Sequence, residues 1–364
     1  MTHPQLDGPG LADGDSLGLL AGMADSLDAF DQARRGAEAT DLQWPAEAVH
    51  NVAICGMGGS AIAADLVAGA WRERLRRPVG VLRDYYVPGW LGENTLVVLS
   101  SYSGETEETL TAAMQATERN ALCVAITSGG KLGSFYRDLG VPVIDLPPGL
   151  QPRAAILRLL VPLVVVLSRF GVIPQADADL DDARARIAGA IRANEPSVPT
   201  ADNMAKRIAG LLHGNLPIVW GAETTAAVAQ RWKGQFNENA KVPAYWGALP
   251  EVDHNEICGF EGMGPLTQTS RLVLLRDPHQ HRQVQRRFEL TQELVTQHVG
   301  GVIEVTAEGD TALGRALDLV MLGDYASLYL GLLRGVDPGP VEMIQRLKGS
   351  LAETGYGRAA APVA

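Results

Sequence analysis

The sequence predicts an α/β protein made of two doubly wound parallel-sheet subdomains with flanking N- and C-terminal helices. Three observations predict it. Short β-branched runs alternate with helix-like segments, the pattern of a parallel sheet covered by helices. A strand, a glycine turn and a helix follow one another twice, once in each half of the chain. The 364 residues, 46% of them hydrophobic, exceed the roughly 100–200 of one ordinary domain.

The elements follow in order. Leu17 to Arg35 reads as an amphipathic helix, because Leu20, Met23, Ala24, Leu27 and Phe30 recur near the helical period. Val49–Cys55, Val79–Arg83, Thr95–Ser101, Leu122–Thr127 and Val141–Leu146 are five short strand-like runs, with a helical Ser60–Trp71 after the first. In Ala154–Phe170 the run Val164-Val165-Val166 favours a strand, but the length favours a buried helix, and length decides. Gln175–Ala193 reads as a charged, exposed helix, and Asn194–Asn203 carries two prolines, so this region is expected to connect the domains. Alternation resumes with strand Pro217–Trp220, helix Thr224–Glu238, strands Arg271–Leu275 and Val302–Thr306, and helices Ala312–Leu333 and Val341–Leu351. Gly357–Ala364 is expected to be disordered. The expected division is an N-terminal helical segment (1–44), a first subdomain (45–175), a helical linker (176–203), a second subdomain (204–335), and a C-terminal helix and tail (336–364). The halves share a plan without a close sequence repeat.

Charge and cysteine content narrow the function. A formal charge of −11 opposes binding to nucleic acid or to an anionic membrane surface. Cys55, Cys123 and Cys258 are too few and scattered for a disulfide framework or a cysteine metal site, as in a reducing cytosol. The first 33 residues hold no Lys or Arg, unlike a signal peptide. Ala154–Ser168, read as the most apolar stretch, is interrupted by Arg158 and Pro162. It is short of the roughly 18 apolar residues of a membrane helix. The expectation is a soluble, acidic, cytoplasmic protein.

Two loops carry the chemistry. In Ile54-Cys55-Gly56-Met57-Gly58-Gly59-Ser60 a strand enters and a helix leaves, so glycines let a ligand approach the backbone and helix N–H groups face an anion. A tight turn without ligand explains this segment equally simply. Ser101-Tyr102-Ser103-Gly104-Glu105-Thr106 places three hydroxyls in six residues at another helix start. Hydroxyls with backbone N–H groups hold a phosphate without lysine, which suits a chain of negative charge. Helix capping is the competing reading, but one cap needs one hydroxyl.

Gly56-x-Gly58-Gly59-Ser60 followed by Ser101-x-Ser103-Gly104-x-Thr106 resembles the sugar isomerase (SIS) domain. More narrowly, the chain resembles the bifunctional phosphoglucose/phosphomannose isomerases. The further matching segments are Pro152-Arg153-Ala154-Ala155, Asn237-Glu238-Asn239-Ala240-Lys241, His254-Asn255-Glu256-Ile257 and Arg346-Leu347-Lys348. The resemblance spans about residues 45–354. It implies an aldose–ketose isomerase acting on glucose 6-phosphate and mannose 6-phosphate to give fructose 6-phosphate, with no cofactor and no metal.

Such a reaction moves a proton between C1 and C2 through an enediolate and needs a base, a ring-opening group and a stabilised oxyanion. Glu238 closes a helical segment, where a carboxylate opposes the helix dipole. By itself it reads equally as a surface carboxylate; the resemblance implies the base. His254 suits proton exchange near neutral pH, and the resemblance implies that it opens the pyranose ring. Arg153 is implied to steady the enediolate and Lys348 to assist, although a lone Lys on a terminal helix ordinarily faces solvent. Ser101, Ser103 and Thr106 are implied to hold the phosphate, with Gly58, Gly59 and Ser60 near the sugar. The resemblance also implies a homodimer with shared active sites, His254 being supplied across the dimer from a projecting segment, Pro243–Gly259. Glu105 stands where the family often has Asn or Asp and is expected to act through its backbone alone. His279 and His281 read as a solvated loop. Two rivals remain: a non-catalytic sugar-phosphate-binding module, and a nicotinamide dehydrogenase using Asp84 as ribose ligand.

Overall fold

Runs of buried aliphatic residues form the first sheet. β1 (Asn51–Cys55), β2 (Val79–Leu82), β3 (Thr95–Ser100), β4 (Leu122–Thr127) and β5 (Val143–Asp145) pair in parallel in the order β2-β1-β3-β4-β5. All six residues of β3 are buried, as expected of a central parallel strand covered on both faces. The computed structural model describes residues 3–262 and 264–353; Gly357–Ala364, expected to be disordered, lies outside them.

Helices alternate with these strands. The expected helix from Leu17 to Arg35 is instead a short α1 (Leu19–Gly22), a 3-10 turn (Met23–Asp25) and α2 (Ser26–Ala39). Gly22 and Ser26, both weak in helix interiors, flank the break. α3 (Gly58–Ala70) follows β1, α4 (Glu107–Glu118) follows β3 and α5 (Gly130–Asp138) follows β4. α6 (Ile156–Arg169) is the buried helix that length favoured.

The second sheet contains β6 (Leu216–Ala222), β7 (Tyr245–Leu249), β8 (Ser270–Arg276) and β9 (Val302–Thr306) in the order β7-β6-β8-β9, all parallel. This repeats the order of the first four strands of the first sheet. β7 corrects the expectation of a projecting loop over Pro243–Gly259. Its edge position pairs it on one side only, and Gly247 interrupts the apolar run where a Cβ would lie 2.5 Å from Val252 and 2.9 Å from Trp220. The other helices are α7 (Ala176–Asn194), α8 (Met204–Leu212), α9 (Thr224–Asn239), α10 (Gly264–Thr267), α11 (Arg282–Val295), α12 (Ala312–Leu333) and α13 (Glu342–Glu353).

The chain forms two compact units, each discontinuous in sequence. One comprises Met1–Asp31, Asp65–Arg74 and Pro174–Pro338; the other comprises Gln32–Ala64, Leu75–Ile173 and Gly339–Ala364. In the first unit α12 is the central helix, packed by α7, α8 and α9. α7, read from sequence as an exposed connection, buries Ala176, Leu180, Ala183, Ile187 and Ala190. Those positions repeat every three or four residues, a stripe that the intervening charges conceal. By length and composition α12 could cross a membrane, more so than Ala154–Ser168, but it is buried within this unit.

Burial of α12 stresses several titratable groups, Asp318 among them. Desolvation pushes the Asp318 carboxyl from its ordinary 3.8 up to about 6, although the Glu308 N–H donates to it at 3.0 Å. The folded state therefore holds a proton that the unfolded chain has released. The stability from this group is complete below about pH 4 and is lost as pH rises through about 6. Asp318→Asn keeps an acceptor for Glu308 and does not titrate. Thermal denaturation at several pH values should show the variant gaining on wild type between about pH 4 and pH 7; a constant difference in Tm would contradict this.

Candidate active site

In the unit of the first sheet, the chain leaves β1 at Gly56 and turns into α3. A Cβ on Gly56 would lie 2.8 Å from the Ser100 carbonyl oxygen, and one on Gly59 would lie 2.9 Å from that of Pro152. The turn is thus packed against β3 and against the residue preceding Arg153. Gly58 has φ +49° and faces open space. Ser60 is buried in the first turn of α3.

The 101–106 loop at the end of β3 is held by hydrogen bonds and by the buried Tyr102. Ser101 N–H donates to Ile126 O at 3.1 Å and Leu132 N–H to Gly104 O at 3.0 Å. Ser128 donates its N–H (2.9 Å) and its hydroxyl (2.6 Å) to Tyr102 O. Inside the loop the Ser101 and Thr106 hydroxyls are 2.9 Å apart, and Gly104 N–H donates to Ser101 Oγ at 3.1 Å. Thr106 is the N-cap residue of α4, yet its side chain makes no capping bond. The capping reading therefore fails for Thr106: its hydroxyl faces Ser101 across the loop. Ser103 is exposed, and its hydroxyl accepts from Glu105 N–H at 3.3 Å.

Glu105 departs from expectation. Its carboxylate accepts from Lys131 N–H at 2.9 Å and pairs with Lys131 Nζ at 3.1 Å, tying the loop to the start of α5. The sequence carried a signal for this second layer: Ser128-Gly129-Gly130 after β4 is another strand–glycine–helix junction.

Arg153 lies in a 3-10 turn (Pro152–Ala154) and is 4% exposed. Its guanidinium donates to Gly339 O at 2.7 Å and to Gln151 Oε1 at 3.5 Å. Burial of a guanidinium is costly unless its donors are satisfied, so these oxygens hold the charge beside the Gly59 turn. Lys348 lies on α13, whose described side chains are exposed, and makes no hydrogen bond or ion pair among the described residues.

In the unit of the second sheet, Glu238 occupies the last turn of α9 and is half-buried. The flanking asparagines anchor that turn in two directions. Asn237 Nδ2 donates to Val242 O at 2.8 Å, and Asn239 Nδ2 donates to Ser327 Oγ at 2.9 Å. An open groove of about 500 Å³, lined by Lys233, Asn237, Pro243, Ala244, Tyr245 and Trp246, adjoins it.

His254 ends a 3-10 turn (Glu251–His254) and is exposed, while its neighbours are tied down. Asp253 accepts from Arg287 Nη1 and Thr291 Oγ1, each at 2.8 Å. Asn255 donates to Glu251 Oε1 at 2.7 Å, and Trp220 Nε1 donates to Glu256 Oε1 at 3.0 Å. Burial raises the Glu256 carboxyl above the usual carboxylate range, against the Trp220 bond. Anchors on both sides aim the imidazole outward. The Asp253 anchor comes from α11, which no local pattern revealed.

At the corresponding position of the second sheet, between β6 and β8, the crevice is filled. Thr225 Oγ1 donates to Leu275 O (2.8 Å) and accepts from Ala222 N–H (2.9 Å), and Gln280 Nε2 donates to Ala222 O (3.1 Å). The first sheet carries the hydroxyl loop at that position. Among the described residues no group of three or more His, Cys, Asp or Glu is placed to hold a metal ion. His281 of the His279/His281 pair caps α11, accepting from Gln283 N–H at 3.1 Å.

Comparison with known proteins agrees with this division. Residues 47–132 match the SIS domain, and residues 201–351 match the bacterial phospho-glucose isomerase C-terminal SIS domain. The chain is 40% identical over 309 residues to a bifunctional phosphoglucose/phosphomannose isomerase of Caldicellulosiruptor bescii, covering 85% of this chain and 91% of that protein. It is 35% identical to the enzyme of that name from Aquifex aeolicus, covering 82% and 90% respectively. Among solved structures, a hypothetical protein from Thermus thermophilus shares the fold, with a TM-score of 0.71 at 18% identity over 93% of this chain and 91% of that one.

The hydroxyl loop depends on Gly104. Its φ is +69°, and a Cβ there would lie 1.9 Å from Gly129 O. Gly104→Ala combines left-handed strain with a backbone clash and should cost about 2–4 kcal/mol. Gly58→Ala, in open space, should cost only about 1–2 kcal/mol. Denaturant unfolding of both variants measures the contrast; equal losses would show that the loop is not pressed against the Gly129 turn.

Proposed function

The chain belongs to the bifunctional phosphoglucose/phosphomannose isomerase family, and from that premise we propose how its residues divide the reaction. It interconverts glucose 6-phosphate and mannose 6-phosphate with fructose 6-phosphate. Ser101, Ser103 and Thr106 hold the phosphate with the N–H groups of their loop, and Gly58, Gly59 and Ser60 face the sugar. The observation that carries this reading is the Ser101–Thr106 pair at 2.9 Å, with Thr106 not used to cap its helix. The Thr106 hydroxyl, not spent on capping its helix, is available to an anion.

His254 opens the ring, moving a proton between the anomeric hydroxyl and the ring oxygen. Glu238 then removes the C2 proton of the open aldose and returns it to C1. Both aldoses give an enediolate with no stereocentre at C2; their C2 protons lie on opposite faces, so one base serves both substrates when the sugar turns about its C2–C3 bond between the two. Arg153 lies beside the developing oxyanion, where a fixed positive charge lowers the barrier, and Lys348 assists. Neither sensing nor hydride transfer calls for Glu238 and His254 together, and Asp84 is engaged with its own neighbour, accepting from Tyr85 N–H at 2.6 Å. The acidic composition and three free cysteines support a cytoplasmic setting.

Glu238→Gln should lower kcat about 10²–10⁴-fold while the variant still binds phosphosugar. Near-normal kcat in the purified variant would remove Glu238 as the base.

The enzyme acts as a homodimer in which each His254 serves the partner's substrate. Support comes from the family resemblance and from the outward aim of His254 over anchored neighbours. Inactive Glu238→Ala and His254→Ala chains, mixed under subunit exchange, form mixed dimers in half the cases. Each mixed dimer has one doubly lesioned site and one intact site. Activity should recover to roughly a quarter of wild type. No recovery would place both residues in one chain's site.

A further inference from the structure

α9 and α12 approach so closely that the contact leaves no room for a methyl at two of three successive turns. On α12 the facing positions are Gly323, Ser327 and Gly331, spaced four residues apart along one face. A Cβ on Gly323 would lie 2.1 Å from Trp232 Nε1, and one on Gly331 would lie 2.6 Å from Asn239 O. Between them Ser327, 0% exposed, meets the Asn239 side chain.

The same interface carries a polar ladder. Arg231, Gln235 and Asn239 fall on one face of α9 at intervals of four, and all are buried. Asp324 accepts from Arg231 Nε (3.0 Å), Arg231 Nη2 (2.6 Å) and Gln235 Nε2 (2.9 Å). Ser327 Oγ donates to Asp324 O at 2.7 Å and accepts from Asn239 Nδ2 at 2.9 Å. Trp232 Nε1 donates to Leu319 O at 2.8 Å. Apolar side chains could bury this surface at equal or lower cost. What the polar ladder adds is direction: each bond is made at one rotation and one rise of α9 against α12. The final rung holds Asn239, the residue directly after Glu238.

We propose that Ser327 is a positioning residue for Glu238, acting through Asn239 at the end of the ladder formed by Arg231, Gln235 and Asp324. The proposal rests on the reading of Glu238 as the base. A base must meet the C2 proton at a set distance and angle, and a misplacement of about 1 Å can cost on the order of 10²-fold. Removing the Ser327 hydroxyl leaves the volume of the contact nearly unchanged but frees the last turn of α9 to rotate. The loss falls on proton transfer and not on phosphate binding.

The test compares Ser327→Ala, Gly331→Ala, Thr311→Ala and Glu238→Gln in the full-length enzyme. Thr311 caps the distant N-terminus of α12, its hydroxyl accepting from Gly314 N–H at 3.0 Å, so Thr311→Ala loosens the helix without touching the ladder. Ser327→Ala should lower kcat roughly 10–100-fold with KM changed less than about twofold. It should also raise the deuterium isotope effect measured with glucose 6-phosphate labelled at C2, because proton transfer becomes slower than the other steps. Thr311→Ala should lower Tm and leave kcat and the isotope effect at wild-type values. Gly331→Ala presses on Asn239 O by another route and should reproduce the Ser327→Ala signature, and it decides the matter if Ser327→Ala does not fold. Wild-type kcat and isotope effect in Ser327→Ala, or an equal loss of kcat in Thr311→Ala, would overturn the proposal. Should Glu238→Gln retain turnover, the base assignment falls and the positioning role falls with it. Should Glu238→Gln be inactive while Ser327→Ala is normal, only the positioning role falls.

Discussion

In the proposed reading, a chain of formal charge −11 binds its anion through N–H and O–H groups, and such groups must be held still. Dipoles act over a short range, and their contribution is lost when they turn away. The bonds that Ile126, Ser128 and Leu132 make to the 101–106 loop answer that constraint. They form a second layer of backbone behind the hydroxyls, and Glu105 with Lys131 closes its edge. Gly104 is required because any side chain there would enter the Gly129 carbonyl. In the proposed roles, the loop supplies affinity through geometry and keeps cations out of the phosphate contact.

The two sheets use one strand order for two purposes. In the first, the turns after β1 and β3 are built from glycines and small polar residues. In the second, the equivalent crevice between β6 and β8 is occupied by Thr225 and Gln280, which satisfy Ala222 and Leu275 internally. The unit of the second sheet instead presents side chains from helix and turn ends: Glu238 from α9 and His254 from the 251–254 turn. Each sits where the backbone stops being regular and is anchored through its neighbours in sequence.

The Glu238 anchor depends on α12. Its face of Gly323, Ser327 and Gly331 admits α9 at close range, while α7 and α8 cover other parts of its surface. A helix this apolar invites a membrane reading from composition alone. Burial by three other helices gives its length a different meaning: it spans the unit and sets the register of the elements around it.

The sequence alone was enough for the features that depend on near neighbours. The five strands of the first sheet, the glycine turn at Gly56–Ser60, the hydroxyl loop and the placement of Glu238 at a helix end were all legible, since hydrophobic runs and breakers act within a few residues. Tertiary structure decided the rest. β7 was hidden because an edge strand with a central glycine has little local signature, and its glycine answers to Val252 and Trp220. α7 was misread as a connection because its buried stripe is small and interleaved with charge. Glu105 was expected to act through its backbone alone because Lys131, which its carboxylate meets, lies in another junction. Asn239 and Ser327 are 88 positions apart, and no periodicity links them. Pairings of that kind form only when the whole chain has folded, because each partner's geometry is set by a different element.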